Sequence, residues 1–356
     1  MTATRNNALS EDGDPGGSPS GMPAQAEGER PPLRVRIVLN PLAGNAEDVS
    51  GVHAAMQHWQ TRGWQVELTP TEYAGHAIEL AREAAAQHYD IVAAAGGDGT
   101  VNEIVNGIAH TRTALAVLPF GTGNVWVREL KLPLNPLEAA ATLGVGHTIN
   151  LDLGMAGERY FLLMAGVGFD AAVTRAVHPE AKRKLKLLAY LVQAVLTARD
   201  IRGTRARIEV DGRVVKGRVL MVVIGNSRLY GGFLQITHQA TLTDGLLDVA
   251  VINGQDVRSA PLHILSILLR RYNSNPDMSY YRAREVHISS ATPLEVQVDG
   301  DAIGVTPMSF RVAPGALRAL VPPWTTSDLV GATPGMRLPM LDRIRRILIN
   351  GSHHRP

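Results

Sequence analysis

The sequence of 356 residues contains no cysteine. This absence excludes disulfide bonds, thiolate-bound metals and a cysteine nucleophile, and it leaves the redox compartment undecided. Charge is also scarce, since only 19% of the residues are Asp, Glu, Lys or Arg and the formal net charge is +2. So small an excess of positive charge gives no reason to expect a nucleic acid as a partner.

A long apolar segment and a secretion signal are likewise missing. The longest apolar run, Leu187 to Ala198, includes Gln193 and is shorter than the roughly 20 residues that span a bilayer. Met1 to Arg30 lacks the apolar core of a signal peptide. The sequence therefore predicts a cytoplasmic protein that does not cross a membrane but can contact its inner face peripherally.

The chain has 45% hydrophobic residues, which is enough for two domains with separate cores. We predict a disordered tail over residues 1–32, because this segment is rich in Gly, Pro, Ser and acidic residues and poor in large apolar ones. A nucleotide-binding domain is predicted over residues 33–147 and a β-rich domain over 148–323. Residues 324–356 form a C-terminal extension.

Strand and helix patterns alternate in the first half of the chain, which predicts a Rossmann-like parallel sheet covered on both faces. Ligands of such sheets bind beyond the carboxyl ends of the strands. The predicted strands are Val35 to Leu39, Val66 to Leu68, Ile91 to Ala95 and Leu115 to Leu118, and the helices are Val52 to Trp59, Ala77 to Ala86 and Val101 to Ile108.

From about Thr148 onward, short β-rich runs separated by Asp-Gly turns predict an antiparallel β-sandwich. Two helical patterns, Pro179 to Arg199 and Asp256 to Arg271, interrupt it. Whether the last strand returns to the first domain is left open. The runs are Arg159 to Met164, Arg207 to Val210, Val219 to Ile224, Leu247 to Val251, Leu294 to Val298 and Leu317 to Val321.

A glycine turn, Gly96 to Thr100, joins the third predicted strand to a helix. Glycine lets the backbone approach a phosphate closely, and the N-terminus of a helix offers unpaired N–H groups to an anion. The turn matches neither a Walker loop nor the Gly-x-Gly-x-x-Gly spacing. Its Asp98 fits two roles, a helix cap or a Mg²⁺ ligand on nucleotide phosphates.

Two further turns follow neighbouring strands, Asn40 to Gly44 and Gly121 to Asn124. Either one alone is explained by ordinary turn chemistry. Because the carboxyl ends of parallel strands share one edge, the three turns together favour a phosphate cradle over three unrelated turns.

This set of motifs resembles the catalytic domain of diacylglycerol kinases, a group that includes bacterial soluble lipid kinases and sphingosine kinases. The resemblance covers roughly Leu33 to Pro322. It implies an ATP-dependent, Mg²⁺-requiring lipid kinase whose acceptor is the hydroxyl of a diacylglycerol-like or sphingoid lipid. The later motifs that carry it are Gly166 to Asp170, Tyr230 to Gly232, Asp244 to Asp248 and Val298 to Asp301.

The resemblance also implies residue roles. Asp299 matches the general base, although an Asp-Gly pair is also what an ordinary type I′ hairpin turn favours. Asp170 matches a position associated with the lipid head group, and the family usually has Glu where this chain has Asp301. A Mg²⁺ site is implied at Asp244, Thr241 and the Leu246 carbonyl. The implied ATP contacts are Asn40, Thr71, Gly96, Gly97, Asp98, Gly99, Thr100, Asn102, Gly121, Thr122 and Asn124, with Asp98 also in a catalytic role.

Two other functions are open at this point. A kinase of a soluble acceptor such as NAD shares the glycine turn, and a non-catalytic nucleotide-binding membrane adaptor could have the same fold. A basic region is predicted over residues 178–218. Its first part, the basic stretch Lys182 to Lys186, fits either an amphipathic helix on an anionic bilayer or a solvated helix packed on its own domain. The segment behind it adds Arg199, Arg202, Arg205, Arg207, Arg213, Lys216 and Arg218. A homodimer is also left open.

Overall fold

Four parallel strands form the first half of the described chain, in the spatial order β4-β3-β1-β2. All six residues of β3 and of β4 are buried, as is typical of parallel strands that are covered on both faces. The four strands are β1 Arg34–Leu39, β2 Gln65–Pro70, β3 Ile91–Gly96 and β4 Ala114–Pro119.

The computed structural model describes residues 32–44, 46–168, 202–232, 234–255 and 275–325. The predicted disordered tail, nearly all of the C-terminal extension, the two helical patterns of the second half, the basic stretch and Asp170 lie outside these residues.

Helices cover the two faces of the parallel sheet. On one side Trp59 of α1 donates from Nε1 to the carbonyl of Ala140 in α5 at 2.9 Å. On the other, α2 and α3 approach so closely that a Cβ at Gly107 would lie 2.6 Å from that of Ala81. The helices are α1 Ala46–Thr61, α2 His76–Ala86, α3 Asp98–Ile108, α4 Val125–Glu129 and α5 Pro136–Leu143.

The second half is mainly antiparallel and has its own core, which includes Phe161, Ile208 and Phe310. The predicted fold class, a parallel α/β part followed by an antiparallel β part, is confirmed. Its strands are β5 His147–Ala156, β6 Arg159–Phe161, β7 Met164–Gly168, β8 Thr204–Val210, β9 Arg213–Gly225, β10 Leu229–Tyr230, β11 Leu234–Gln235, β12 Leu247–Asn253, β13 Met278–Ala283, β14 Glu285–Ser290, β15 Glu295–Val298, β16 Asp301–Val305 and β17 Met308–Val321.

The last strand joins the two halves. β17 pairs antiparallel with β5 and β14, and at its end Arg318 and Ala319 pair in parallel with Ala114 and Leu115 of β4. The parallel and antiparallel parts are therefore one hydrogen-bonded sheet. The domain boundary at residue 147 stays a prediction.

One predicted strand is wrong in its extent. The run from Arg159 to Met164 is divided between β6 and β7, which are separated by Leu162 and Leu163. The N–H groups of these two residues donate to the carboxylate of Asp299 and not to a neighbouring strand. This break therefore places backbone N–H groups around the Asp299 carboxylate.

Candidate active site

The glycine turns after β3 and β4 are in direct contact. A Cβ at Gly121 would lie 2.7 Å from Cα of Gly97, so only glycine fits at position 121. Asn124, at φ 48°, accepts from the Gly121 N–H at 3.1 Å and donates to its carbonyl at 2.6 Å. The Asn124 side chain therefore shapes its own turn, while Thr122 in the same turn is exposed to solvent.

The turn after β1 joins this pair through side chains. Asn40 donates from Nδ2 to Oγ1 of Thr100 at 3.1 Å, and its Oδ1 accepts from the N–H of Leu42 at 3.0 Å. Thr100 is buried against Gly96, where a Cβ would lie 2.4 Å from Thr100 Oγ1. Three of the predicted nucleotide contacts are thus packed together at one sheet edge.

Asp98 links two of the turns. It lies in the first turn of α3, whose cap residue is Gly97, and its Oδ1 accepts from the N–H of Val125 at the start of α4 at 2.8 Å. This oxygen therefore connects the start of α3 to the neighbouring helix, and the role of Asp98, as a helix cap or as a Mg²⁺ ligand, stays a prediction. Thr71 follows β2 directly and donates its N–H to the carbonyl of Leu39 at 2.8 Å, so it borders the same edge.

Asp299 lies in the hairpin turn between β15 and β16, with Gly300, and both residues have positive φ. Its two carboxylate oxygens accept four hydrogen bonds of 2.8–2.9 Å, from the N–H groups of Leu162, Leu163 and Met164 and from Nδ2 of Asn102. A carboxylate has about four lone-pair positions, so Asp299 is saturated by the protein itself.

Burial raises the pKa of the Asp299 carboxyl to about 6, against the opposing effect of its four N–H donors. A value near 6 suits a general base. The hydrogen-bond geometry does not, because a base needs an oxygen that can reach the acceptor hydroxyl. The role of Asp299 as base stays a prediction, and its contacts favour a structural role.

Sequence reasoning missed Arg159, which connects three elements. Its guanidinium donates to Oδ1 of Asn102 from Nε at 3.1 Å and from Nη2 at 2.8 Å, and Nη2 also binds Oδ2 of Asp301 at 3.0 Å. Asn102 is buried and also contacts Asp299. No motif marked Arg159, because its partners are 57 and 142 positions away in the chain.

Asp301 is the open carboxylate of this group. Its side chain is 48% exposed, and its Oδ1 lies 3.9 Å from where a Cβ at Gly99 would be. It therefore faces the start of α3, where the glycine turn leaves N–H groups for an anion. Asp301 and Asp299 are two residues apart but have opposite environments.

The predicted Mg²⁺ site at Asp244 is engaged in protein contacts. The carboxylate of Asp244 forms an ion pair with Arg282 and accepts from the N–H of Leu246 at 3.1 Å. Thr241 donates from Oγ1 to the carbonyl of Gln239 at 3.4 Å. In the part of the chain that the structure describes, no group of three or more His, Cys, Asp or Glu residues could hold a metal. Arg282 supplies the positive charge that a cation would bring.

Comparison with known proteins shows which family the chain belongs to. A family model described as the diacylglycerol kinase catalytic domain matches residues 34–156, and one described as the YegS C-terminal NAD kinase beta sandwich-like domain matches residues 164–321. A diacylglycerol kinase of Bacillus subtilis is 30% identical over 281 residues, which cover 78% of this chain and 92% of the relative. The chain belongs to the diacylglycerol kinase family.

Other members of the family extend the match. A diacylglycerol kinase of Staphylococcus aureus is 31% identical over 280 residues, covering 78% of this chain and 89% of the relative. A crystal structure of a Bacillus anthracis protein assigned as a diacylglycerol kinase has a TM-score of 0.72 at 25% identity, covering 84% of this chain and 99% of that one. The predicted family and enzyme class, a lipid kinase, are confirmed, and membership implies that ATP is the phosphate donor.

The structure describes no helix long and apolar enough to cross a bilayer.

In this family member the carboxyl of Asp248 is buried and lies beside Arg282. Asp248 Oδ1 accepts from the hydroxyl of Tyr280 at 2.7 Å, and among the described residues its Oδ2 has no hydrogen-bond partner. Burial raises the pKa of Asp248 from its ordinary value of 3.8 to about 6. Protonation of the carboxyl therefore favours the folded state.

This shift predicts a pH effect on stability. Because the folded pKa is the higher one, the contribution of Asp248 is fully present below pH 3.8 and is lost as the pH rises through about 6. We expect Asp248→Asn to flatten the pH profile of the unfolding free energy by about 2 kcal/mol between about pH 4 and about pH 7. Urea unfolding across this range measures it, with the exposed Asp277→Asn as the matched control. A profile as steep as that of the control variant would contradict the assignment.

Proposed function

We propose that this protein transfers the γ-phosphate of ATP to the hydroxyl of a membrane lipid in a Mg²⁺-dependent reaction. A diacylglycerol-like acceptor is the first choice, because the curated relatives from B. subtilis and S. aureus are diacylglycerol kinases, and a sphingoid acceptor is the second. The observation that carries the proposal is the position of Asp301 beside Gly99, where a carboxylate and a phosphate turn face each other.

The turn residues fit nucleotide phosphates. A Cβ at Gly97 would meet nothing within 4 Å, so there is open space above the first turn of α3. An anion in this space would meet the free N–H groups and the partial positive charge of the helix N-terminus. Asp98, beside this space, is the carboxylate best placed to hold Mg²⁺ on the phosphates. When bound there, Mg²⁺ neutralises charge on the phosphate oxygens.

The Mg²⁺ site that the family resemblance implied at Asp244 is not part of the proposed reaction. A Mg²⁺ ion there would have to displace Arg282 from the Asp244 carboxylate. The prediction of that site is therefore the weakest of those that the family resemblance implied.

Asp301 is our candidate for the proton acceptor in place of Asp299. Arg159 holds Oδ2 of Asp301, so Oδ1 is the atom directed toward the glycine turn. The lipid hydroxyl gives its proton to this oxygen as the hydroxyl oxygen attacks the terminal phosphorus and ADP leaves. The saturated Asp299 keeps the β6–β7 break and Asn102 in position, and through Asn102 it orients Arg159.

An acceptor panel tests the proposal. Purified full-length protein is incubated with labelled ATP and Mg²⁺ in the presence of diacylglycerol, ceramide, sphingosine, polyprenol or NAD. Label in diacylglycerol or sphingosine supports a lipid kinase and identifies the acceptor. Label in NAD alone would overturn the proposal in favour of a soluble acceptor, and ATP binding without transfer to any of them would favour a non-catalytic adaptor.

The phosphate position predicts the effect of one small substitution. Gly97→Ala adds a methyl group in open space at a φ of −76°, which any residue adopts, so the unfolding midpoint should not change. We expect the KM for ATP to rise by about 10-fold to 100-fold, because the methyl group lies where the phosphates approach the backbone. Steady-state kinetics and thermal unfolding measure the two quantities. An unchanged KM would remove Gly97 from the phosphate site.

A further inference from the structure

A basic concavity lies on the outer face of the antiparallel sheet, away from the glycine turns. Its volume is about 560 Å³. It lies on β8 and β9, with two serines and an alanine at the end of β14. The lining residues that matter for the inference are Arg205, Arg207, Lys216, Arg218, Ser289 and Ser290.

The four cations are aligned by the strand register. Arg205 is paired directly with Arg218, and Arg207 with Lys216. Cross-strand neighbours in an antiparallel pair have Cβ atoms about 5 Å apart, and like charges at that distance destabilise the sheet. Alternation along β8 buries Ala206 and Ile208 and turns both arginines outward. Two rows of like charge therefore face each other across one strand pair.

Little in the described chain neutralises these charges. Arg207 binds Glu209 at 3.1 Å, and Arg218 donates to the carbonyl of Gly203 at 3.2 Å. Arg205 and Lys216 form no ion pair and no side-chain hydrogen bond with any other described residue. A concave surface that holds unneutralised cations close together, with the Ser289 hydroxyl beside them, attracts a ligand with phosphate groups.

We propose that this concavity binds the phosphate head groups of an anionic bilayer and docks the protein on the membrane. The choice of a bilayer over a soluble phosphate or a nucleic acid rests on the proposed function, since a lipid acceptor requires the protein to meet a membrane. The face is separate from the active site. Arg218 precedes Gly225 by seven residues on β9, about 20 Å, and it is Gly225 that pairs with Met164 beside Asp299.

Vesicle sedimentation tests the proposal without any kinase assay, so its outcome is independent of the proposed function. The full chain is mixed with phosphatidylglycerol–phosphatidylcholine vesicles and with pure phosphatidylcholine vesicles. Each basic residue near an anionic surface changes the partition coefficient by about fivefold. The double variant Arg205→Gln/Lys216→Gln should therefore bind the anionic vesicles about 25-fold more weakly, and the protein should bind pure phosphatidylcholine poorly.

Two control variants separate charge from structure. Arg82→Gln/Arg112→Gln removes the same charge from exposed positions of the α/β half and should bind anionic vesicles as the parent does. Arg205→Lys/Lys216→Arg keeps the charge and should retain binding. Equal binding by the two glutamine variants would overturn the proposal. If free glycerol phosphate abolishes binding to the vesicles, the concavity is a site for a soluble ligand. If the Arg205→Gln/Lys216→Gln variant loses only binding to DNA or RNA, the concavity is a nucleic-acid surface. Either result would overturn the proposal.

Discussion

Replacing Asp301 with asparagine is expected to lower kcat by about 10²-fold to 10⁴-fold, the usual contribution of a general base. The amide cannot accept the proton, but it keeps the size of the side chain and an oxygen for Arg159. Because the Asp301 side chain is exposed, we expect the loss of rate without a loss of stability. Steady-state kinetics with the acceptor identified by the panel, together with ATP binding, measure the effect.

The control for this variant is Asp277→Asn, the same chemical change at another exposed aspartate. It should leave kcat unchanged. If Asp301→Asn keeps a near-normal kcat while ATP binding is intact, Asp301 is not the proton acceptor. In that case Asp299, the residue that the family resemblance implied, would again be the first candidate.

Replacing Asp299 with alanine is expected to lower the free energy of unfolding by about 4 kcal/mol, because three backbone N–H groups and one amide lose their acceptor. The N–H groups of Leu162, Leu163 and Met164 point into the break between β6 and β7, where no strand replaces the carboxylate. Urea unfolding of the purified variant measures the change.

The chain supplies a matched control for this substitution at Asp211. Asp211-Gly212 is the same kind of Asp-Gly turn, with φ 44° at Asp211 against 48° at Asp299, so alanine is equally strained at both. The carboxylate of Asp211 is exposed, and among the described residues it accepts only from the N–H groups of Arg284 and Glu285. Asp211→Ala should cost about 1–2 kcal/mol. Equal losses at the two sites would contradict the structural role of Asp299.

Variants of Asp299 and Asp301, measured side by side, separate an effect on the catalytic rate from an effect on stability. A stable Asp299→Asn variant that binds ATP without turnover, together with an active Asp301→Asn variant, would assign the base to Asp299. The opposite pattern, an unstable Asp299→Ala and a stable but inactive Asp301→Asn, is the one that the hydrogen bonds favour.

Much of the fold was predictable because the strands of its first half are marked by local sequence patterns. The four parallel strands are short apolar runs followed by turns, so β1 to β4 were placed to within one or two residues. The strands of the second half were harder to predict. The strands β5, β10, β11, β13, β14 and β16 were not predicted. The break between Phe161 and Met164 was predicted as continuous strand, because the acceptor that ends the ladder lies more than 130 positions away.

The sequence by itself determined which turns come together at one edge of the parallel sheet, where the phosphate site is predicted. Three turns with glycine, asparagine and threonine follow three parallel strands, and such strands end at one edge of a sheet whatever else the chain does. The contacts of Asn40 with Thr100 and of Gly121 with Gly97 follow from that rule.

Only the tertiary structure decided what the carboxylates near that edge can do. Asp299 and Asp301 belong to one short motif, and nothing in their local sequence shows which of the two carboxylates is left open by the fold. In the fold, Asp299 turns toward the N–H groups of a broken strand, while Asp301 stays exposed beside Gly99 with Arg159 on one oxygen. Hydrogen-bond saturation depends on partners brought together from distant parts of the chain, so no local pattern could have revealed it.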